Sequence, residues 1–325
     1  DDKGGLGVHL AALRAFGGKP PVGVTLLFEG EEEIGSPTLD DLLAAHPDDL
    51  EADAYVICDC GNWEVGRPAF TTSLRGVVDC VVEVHALDHA IHSGEFGGVV
   101  PDALTALCRL LATLHDERGN VAVEGLVSGH AAEQLDYPED RLRAETGLLP
   151  GVQFIGDDSA VDRMWTKPSL SIIGLDTTPI AVSSNVLIPS ARARISLRVA
   201  PGDTQENARD RLIAHLRSHA PWGVQVSCSN AEANNPSVVP FEGPISEQAK
   251  AAYTRAWGVE PVLTGTGGSI GMIASFQEAF PDATILCTAV SDPHSRMHGI
   301  DESLDLGDWS KAAIAEALLL DRLAR

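Results

Sequence analysis

Phe28-Glu29-Gly30-Glu31-Glu32-Glu33-Ile34-Gly35 is the stretch on which the reading of the chain turns. The apolar residues before it, Val22, Val24, Leu26, Leu27 and Phe28, predict a buried strand. Four carboxylates within five positions then fall where that strand would end. α/β proteins place ligand sites at the carboxyl ends of their strands. Like charges this close repel, so the arrangement calls for a cation or for a raised pKa. A solvated acidic turn is the competing reading, and the stretch alone leaves both open.

Working outward, 325 residues suit one large or two medium domains, and 44% hydrophobic content is that of a globular protein. A net charge of -24 argues against nucleic acid or an anionic membrane as partner. No apolar run approaches the ~18 residues needed to span a bilayer, and no signal-peptide pattern opens the chain. Cys58, Cys60, Cys80, Cys108, Cys228 and Cys287 are too scattered for a disulfide scaffold. Reduced thiols in a cytoplasmic protein are expected.

Leu6, Leu10 and Leu13 mark a first helix, stopped by Gly17-Gly18. A short helix follows Ser36-Pro37, and Ala54 to Cys58 reads as a strand ending at Asp59. Strand, helix, strand in this order predicts a mostly parallel α/β layer. From Val77 the order becomes strand (77–85), helix (102–115), strand (169–175), strand (191–199), helix (204–219) and strand (224–229). That is the β-α-β-β-α-β order of a ferredoxin-like sandwich. The tail returns to helices (246–257, 269–280, 308–323) and a strand (283–287). One domain is therefore expected inside another: 1–74 and 239–325 as the outer α/β part, 75–238 as the insertion. His9 is expected to be a packing or surface residue, and His215 and His219 to lie on an exposed helix face.

Asp1-Asp2-Lys3-Gly4, Glu29 to Ser36, and Asp59 with Gly61-Asn62-Trp63 together resemble the dinuclear-zinc metallopeptidases. This is the family of carnosinase, glutamate carboxypeptidase, aminoacylase and succinyl-diaminopimelate desuccinylase. His92-Ser93-Gly94, Gly267-Gly268-Ser269 and Met297-His298-Gly299 extend the match over essentially the whole chain. Thr72-Ser73-Leu74-Arg75-Gly76 and His92 to Gly98 bring it nearest to the carnosinase-like dipeptidases. The resemblance implies a mixed, mostly parallel catalytic sheet flanked by helices, with an inserted ferredoxin-like α+β lid that also dimerises.

It further implies that Asp1 bridges two zinc ions, with manganese or cobalt as alternatives. Glu33 and His298 would hold one ion and Asp59 the other. Glu32 would be the general base, taking a proton from a metal-bound water that attacks the scissile amide. His92 would reach into the partner subunit's site, so a homodimer is implied. Arg198, Asn185 and Gly267, Gly268 and Ser269 would receive the substrate's carboxylate. His294 lies four residues before His298, but Gly299-Ile300-Asp301-Glu302 matches the family's context for His298. The substrate is expected to be a dipeptide or small peptide; an N-acyl amino acid is the alternative.

One departure stands out. The family carries a His-x-Asp motif upstream of the paired aspartates, and this sequence opens at Asp1 without it. The expectation is that these 325 residues alone bind at most one zinc well and hydrolyse poorly, or form a catalytically dead dimerising body. Cys58 or Cys60 would be the replacement ligands if two ions bind.

Overall fold

Asp2 opens α1 (Lys3–Ala15) by accepting the Gly5 amide at 3.0 Å, which satisfies one of the helix's orphan donors. Gly5, Val8 and Ala12 form the buried stripe. A Cβ on Gly5 would collide with the Cys58 carbonyl, so α1 lies directly on the strand that carries Asp59. The fold is taken from a computed structural model that describes residues 2–325.

The predicted strand over 22–28 does not form. The run has no paired strand among the described residues, and Val24, Leu26 and Phe28 are exposed, Phe28 by 57%. Only Leu27 packs against the core. The reason is the ladder: an apolar run becomes a strand only where a neighbour takes up its amides and carbonyls, and the sheet ends at its Ala54–Gly61 strand. The acidic residues therefore follow an extended arm, in a turn of 3-10 helix over Glu32–Ile34 closed by Gly35 at φ 85°.

After that arm come α2 (Leu39–Ala45), β1 (Ala54–Gly61) and β2 (Ala69–Leu74). The middle of the chain supplies β3 (Gly76–His85), β4 (Ile91–His92), α3 (Ala103–Ala112), α4 (Glu139–Thr146) and α5 (Ala160–Trp165). It continues with β5 (Ser169–Asp176), β6 (Val186–Leu187), β7 (Ser190–Val199), α6 (Gln205–Ser218) and β8 (Gln225–Asn234). The tail adds β9 (Ser237–Val238), α7 (Gly243–Trp257), β10 (Val262–Thr266), α8 (Gly271–Ala279), β11 (Thr284–Ser291) and α9 (Leu306–Leu323).

The first sheet has the order β1-β11-β2-β10, with β9 on β2. β1 and β11 run parallel, as do β2 and β10, while β11 meets β2 antiparallel. Alternation along β11 separates two cores. Ile285, Cys287 and Ala289 face α2 and α8, while Leu286 and Val290 join Val8, Tyr253 and Leu319 beneath α1, α7 and α9. The second sheet, β5-β7-β3-β8, is wholly antiparallel and packs on α3 and α6, the ferredoxin-like order expected. Along β7, Ala191, Ala193, Ile195 and Leu197 are buried, and Arg192, Arg194 and Arg198 alternate with them.

One histidine reading changes. His215 is buried, bonded to the Thr113 hydroxyl at 3.0 Å and stacked on His219 at 4.0 Å, because this face of α6 packs toward α3 instead of solvent. His9 is paired with Glu316 of α9. Residues 131–165, although inside the middle part of the chain, pack Leu135, Tyr137, Val161 and Trp165 against Trp63, Ala69 and Val262 of the first sheet's region.

Candidate active site

β1 delivers Asp59 at its carboxyl end, outward between the buried Cys58 and Cys60. Loss of hydration there, then Glu32, Asp2 and Glu33, push the Asp59 carboxyl up to about 7. Glu32 is raised in the same way: by burial first, then by Glu33 and Glu29, with His298 opposing. Five acidic side chains, Asp2, Glu29, Glu32, Glu33 and Asp59, thus share one negative field.

The acidic turn is held by its own members. Glu29 accepts the Glu31 amide at 2.8 Å, and the Thr38 hydroxyl donates to Glu31 at 2.6 Å. Glu29 Oε2 is buried without a hydrogen-bond partner. Glu33 Oε1 stands 3.2 Å from His298 Nε2, 265 residues further along the chain. His298 lies in a loop shaped by the Asp292–Ser295 turn, where Asp292 N donates to Ser295 Oγ at 2.9 Å. Arg296, His298 and Asp301 all adopt the left-handed region, at φ 54°, 59° and 62°. Such conformations are costly for residues with a Cβ and persist where the surroundings enforce them.

A cleft of about 330 Å³ opens beside this group, lined by Asp2, Lys3, Asp59, Ser291, Met297 and Glu302 among others. Asp1, expected to bridge two ions, lies outside the described residues. Among the described residues no three His, Cys, Asp or Glu side chains converge closely enough to hold an ion by themselves. The donor chemistry nevertheless fits a divalent cation. An orphaned carboxylate oxygen, a carboxyl pushed to about 7 by its neighbours and an imidazole facing a carboxylate all gain from a positive charge between them. Cys58 and Cys60 are packed into the core, Cys58 with its thiol pushed well up by burial, so neither is offered to an ion. His294 instead lines a separate cavity of about 280 Å³ with Glu64, Arg141 and Glu145.

The remaining expected residues form two further groups. His92 and Asn185 come together on an exposed ribbon: β4 pairs with β6, and the Asn185 carbonyl accepts the Ser93 amide at 3.0 Å. Gly267, Gly268 and Ser269 follow β10 and lead into α8, and the Gly268 amide is bonded to Thr266 Oγ1 at 3.2 Å. Arg198, half-buried on β7, acts electrostatically on Arg75. Arg75, part of the Thr72 to Gly76 stretch, is buried here.

Residues 72–224 match the model of a peptidase dimerisation domain, M20_dimer. The chain is 35% identical to a cysteinylglycine-S-conjugate dipeptidase of Corynebacterium striatum, over 98% of this chain and 72% of that protein. It is 27% identical to the Cys-Gly metallodipeptidase DUG1 of Saccharomyces cerevisiae, over 92% of this chain but 65% of that protein. The solved structure of the di-peptidase Dug1p from the same yeast superposes with a TM-score of 0.84 at 24% identity, covering 100% of this chain and 71% of the other. The chain therefore spans about two thirds to seven tenths of the length of these relatives.

Proposed function

The chain belongs to the M20 metallopeptidase family, and on that premise we propose that it is a metal-dependent dipeptidase that hydrolyses the amide bond of small dipeptides. The observation that carries this reading is the contact of Glu33 with His298 at 3.2 Å, beside the Glu32 and Asp59 carboxyls that burial and neighbouring acids raise. Glu33 and His298 would hold one divalent ion and Asp59 a second, with Asp1 serving both; zinc suits this mixture of carboxylate and imidazole. When bound, the ion supplies Lewis-acid polarisation of the scissile carbonyl and lowers the pKa of water toward about 7.

Glu32 takes the proton from the attacking water and returns it to the leaving amine. Its raised carboxyl pKa brings it nearer the working pH, which is what a general base requires. The Gly267-Gly268-Ser269 loop and Arg198 receive the substrate's free carboxylate. His92 and Asn185 stand on an exposed ribbon, which suits a reach into a partner subunit in a homodimer. The division at 1–74, 75–238 and 239–325 is kept for this reading, with residues 131–165 of the middle part braced against the first sheet. The six cysteines stand as free thiols, which suits a cytoplasmic protein, and no helix among the described residues is long and apolar enough to cross a membrane.

Glu32→Gln tests the assignment. With zinc loaded, kcat on Cys-Gly is expected to fall by roughly 10²–10⁴ while zinc content is unchanged. A variant that keeps its rate removes Glu32 from the mechanism. A panel pairing dipeptides with N-acetyl amino acids separates the dipeptidase from the acyl-amino-acid hydrolase.

A further inference from the structure

Arg75 sits at the crossing from β2 into β3, and its side chain is buried. Every hydrogen bond it donates goes to a neutral acceptor. Nε donates to the Gly267 carbonyl at 3.3 Å, and Nη1 donates to the carbonyls of Arg163 and Lys167 at 3.3 and 3.2 Å and to Ser169 Oγ at 2.9 Å. The two carbonyls lie at the carboxyl end of α5, where a helix dipole favours a cation. Among the described residues no carboxylate lies within ion-pair distance of Arg75 or Arg198, whereas Arg118, Arg141, Arg143, Arg192, Arg194, Arg209 and Arg325 each have one. Burial, then the neighbouring Arg198, bring the Arg75 guanidinium down to about 10, a sign of a cation short of counter-charge.

The glycine loop is built around this side chain. A Cβ on Gly267 would collide with Arg75 Nη2, so the loop lies against the guanidinium at the distance only glycine allows. The Arg75 amide also donates to the Thr266 carbonyl at 3.3 Å, holding the loop from its other side. Arg75 therefore touches four elements at once: the loop after β10, the end of α5, the start of β5 and its own crossing.

We propose that Arg75 is a positioning residue for recognition of the substrate's carboxylate, bracing the Gly267-Gly268-Ser269 loop from beneath and sharing with Arg198 an uncompensated positive charge. The inference rests on the dipeptidase reading and deepens it. It predicts that the unpaired cations receive their counter-charge from the ligand, so that preference for a free carboxylate passes through a residue that need not touch it.

The test measures binding separately from turnover. A dipeptide analogue with its amide reduced to a methyleneamine, and the carboxamide of the same analogue, are titrated calorimetrically into the zinc-loaded wild type and into Arg75→Lys and Arg75→Gln. The wild type is expected to bind the carboxylate form at least about 10-fold more tightly than the carboxamide. Both variants are expected to cut that ratio by about 5-fold or more, Arg75→Lys less than Arg75→Gln, with carboxamide affinity nearly unchanged. Thermal melts establish that each variant is folded, and Arg75→Lys alone decides the matter if Arg75→Gln is not. A wild-type ratio near one, an unchanged ratio in Arg75→Lys, or equal loss of both ligands overturns the proposal. Failure of the wild type to hydrolyse any dipeptide, with the ratio and its collapse intact, sinks the dipeptidase reading and not the role of Arg75.

Discussion

His9 Nδ1 lies 2.9 and 2.8 Å from the two oxygens of Glu316, joining the first helix to the last across a largely buried contact. Burial works to lower the His9 pKa, but the hydrogen bond and charge of Glu316, with Asp2 behind them, outweigh it and raise the pKa above its ordinary value. A raised folded pKa means that this stabilisation is fully present below the unfolded value near 6.5 and is lost as pH rises through the folded one. His9→Ala is therefore expected to lower unfolding free energy by about 2 kcal/mol at pH 6 and by distinctly less at pH 9. Urea titrations at both pH values check this, and equal losses would mean that His9 is neutral throughout. Nothing local announces the pair, because its partner is 307 residues away. By contrast Asp59 was legible as a candidate because charge at the end of an apolar strand is anomalous, and the glutamates before Gly35 because four carboxylates fall within five positions.

Elements whose identity follows from period were readable in the same way. The alternation of β7 and the buried stripe of α3 (Ala103, Ala106, Leu107, Leu110) are written in the chain. Two segments were not. Residues 22–28 had the composition of a strand but no ladder to join. The stretch near 120–167 has no period because long-range polar contacts shape it, such as Glu133 accepting the Leu263 amide at 2.9 Å. Asp162 organises the middle of this stretch. It accepts the Ala131 amide at 2.7 Å and the Gln134 side chain at 2.9 Å, and meets His130 at 3.0 Å. Burial works to raise its carboxyl pKa, but these donors, with Ser159, outweigh it and hold the pKa below the ordinary range. Asp162→Ala leaves the half-buried Ala131 amide without its side-chain partner and loosens the packing of Trp165 on Trp63, for an expected loss of about 2 kcal/mol near neutral pH. The depressed pKa means that the contribution is present above the unfolded value near 3.9 and is lost as pH falls through the folded one. The difference between variant and wild type should therefore shrink in acid. A loss that is the same at pH 3 and pH 7 would show that the carboxylate charge is not what holds the segment.

At the scale of the whole molecule, 47 acidic against 23 basic residues give a net charge of -24. Self-repulsion of this size destabilises a folded chain, and any added salt relieves part of it. A cation held by Glu33 and His298 acts differently, because it stabilises by specific binding to the folded state. At zinc concentrations near 100 times its dissociation constant, that binding is worth about 2.7 kcal/mol, a rise of several degrees in Tm for a chain of this size. Sodium chloride at matched ionic strength supplies only the screening part. Zinc is thus expected to raise Tm beyond the sodium chloride control in the wild type, and the excess is expected to vanish in a Glu33→Gln, His298→Ala variant that still responds to salt. The two contributions separate because one depends on total charge, which this double substitution barely alters, and the other on two side chains that meet across 265 residues. An excess that survives the substitutions would mean that zinc is taken up by the acidic surface at large, and the candidate centre would then have to be sought elsewhere in the cleft.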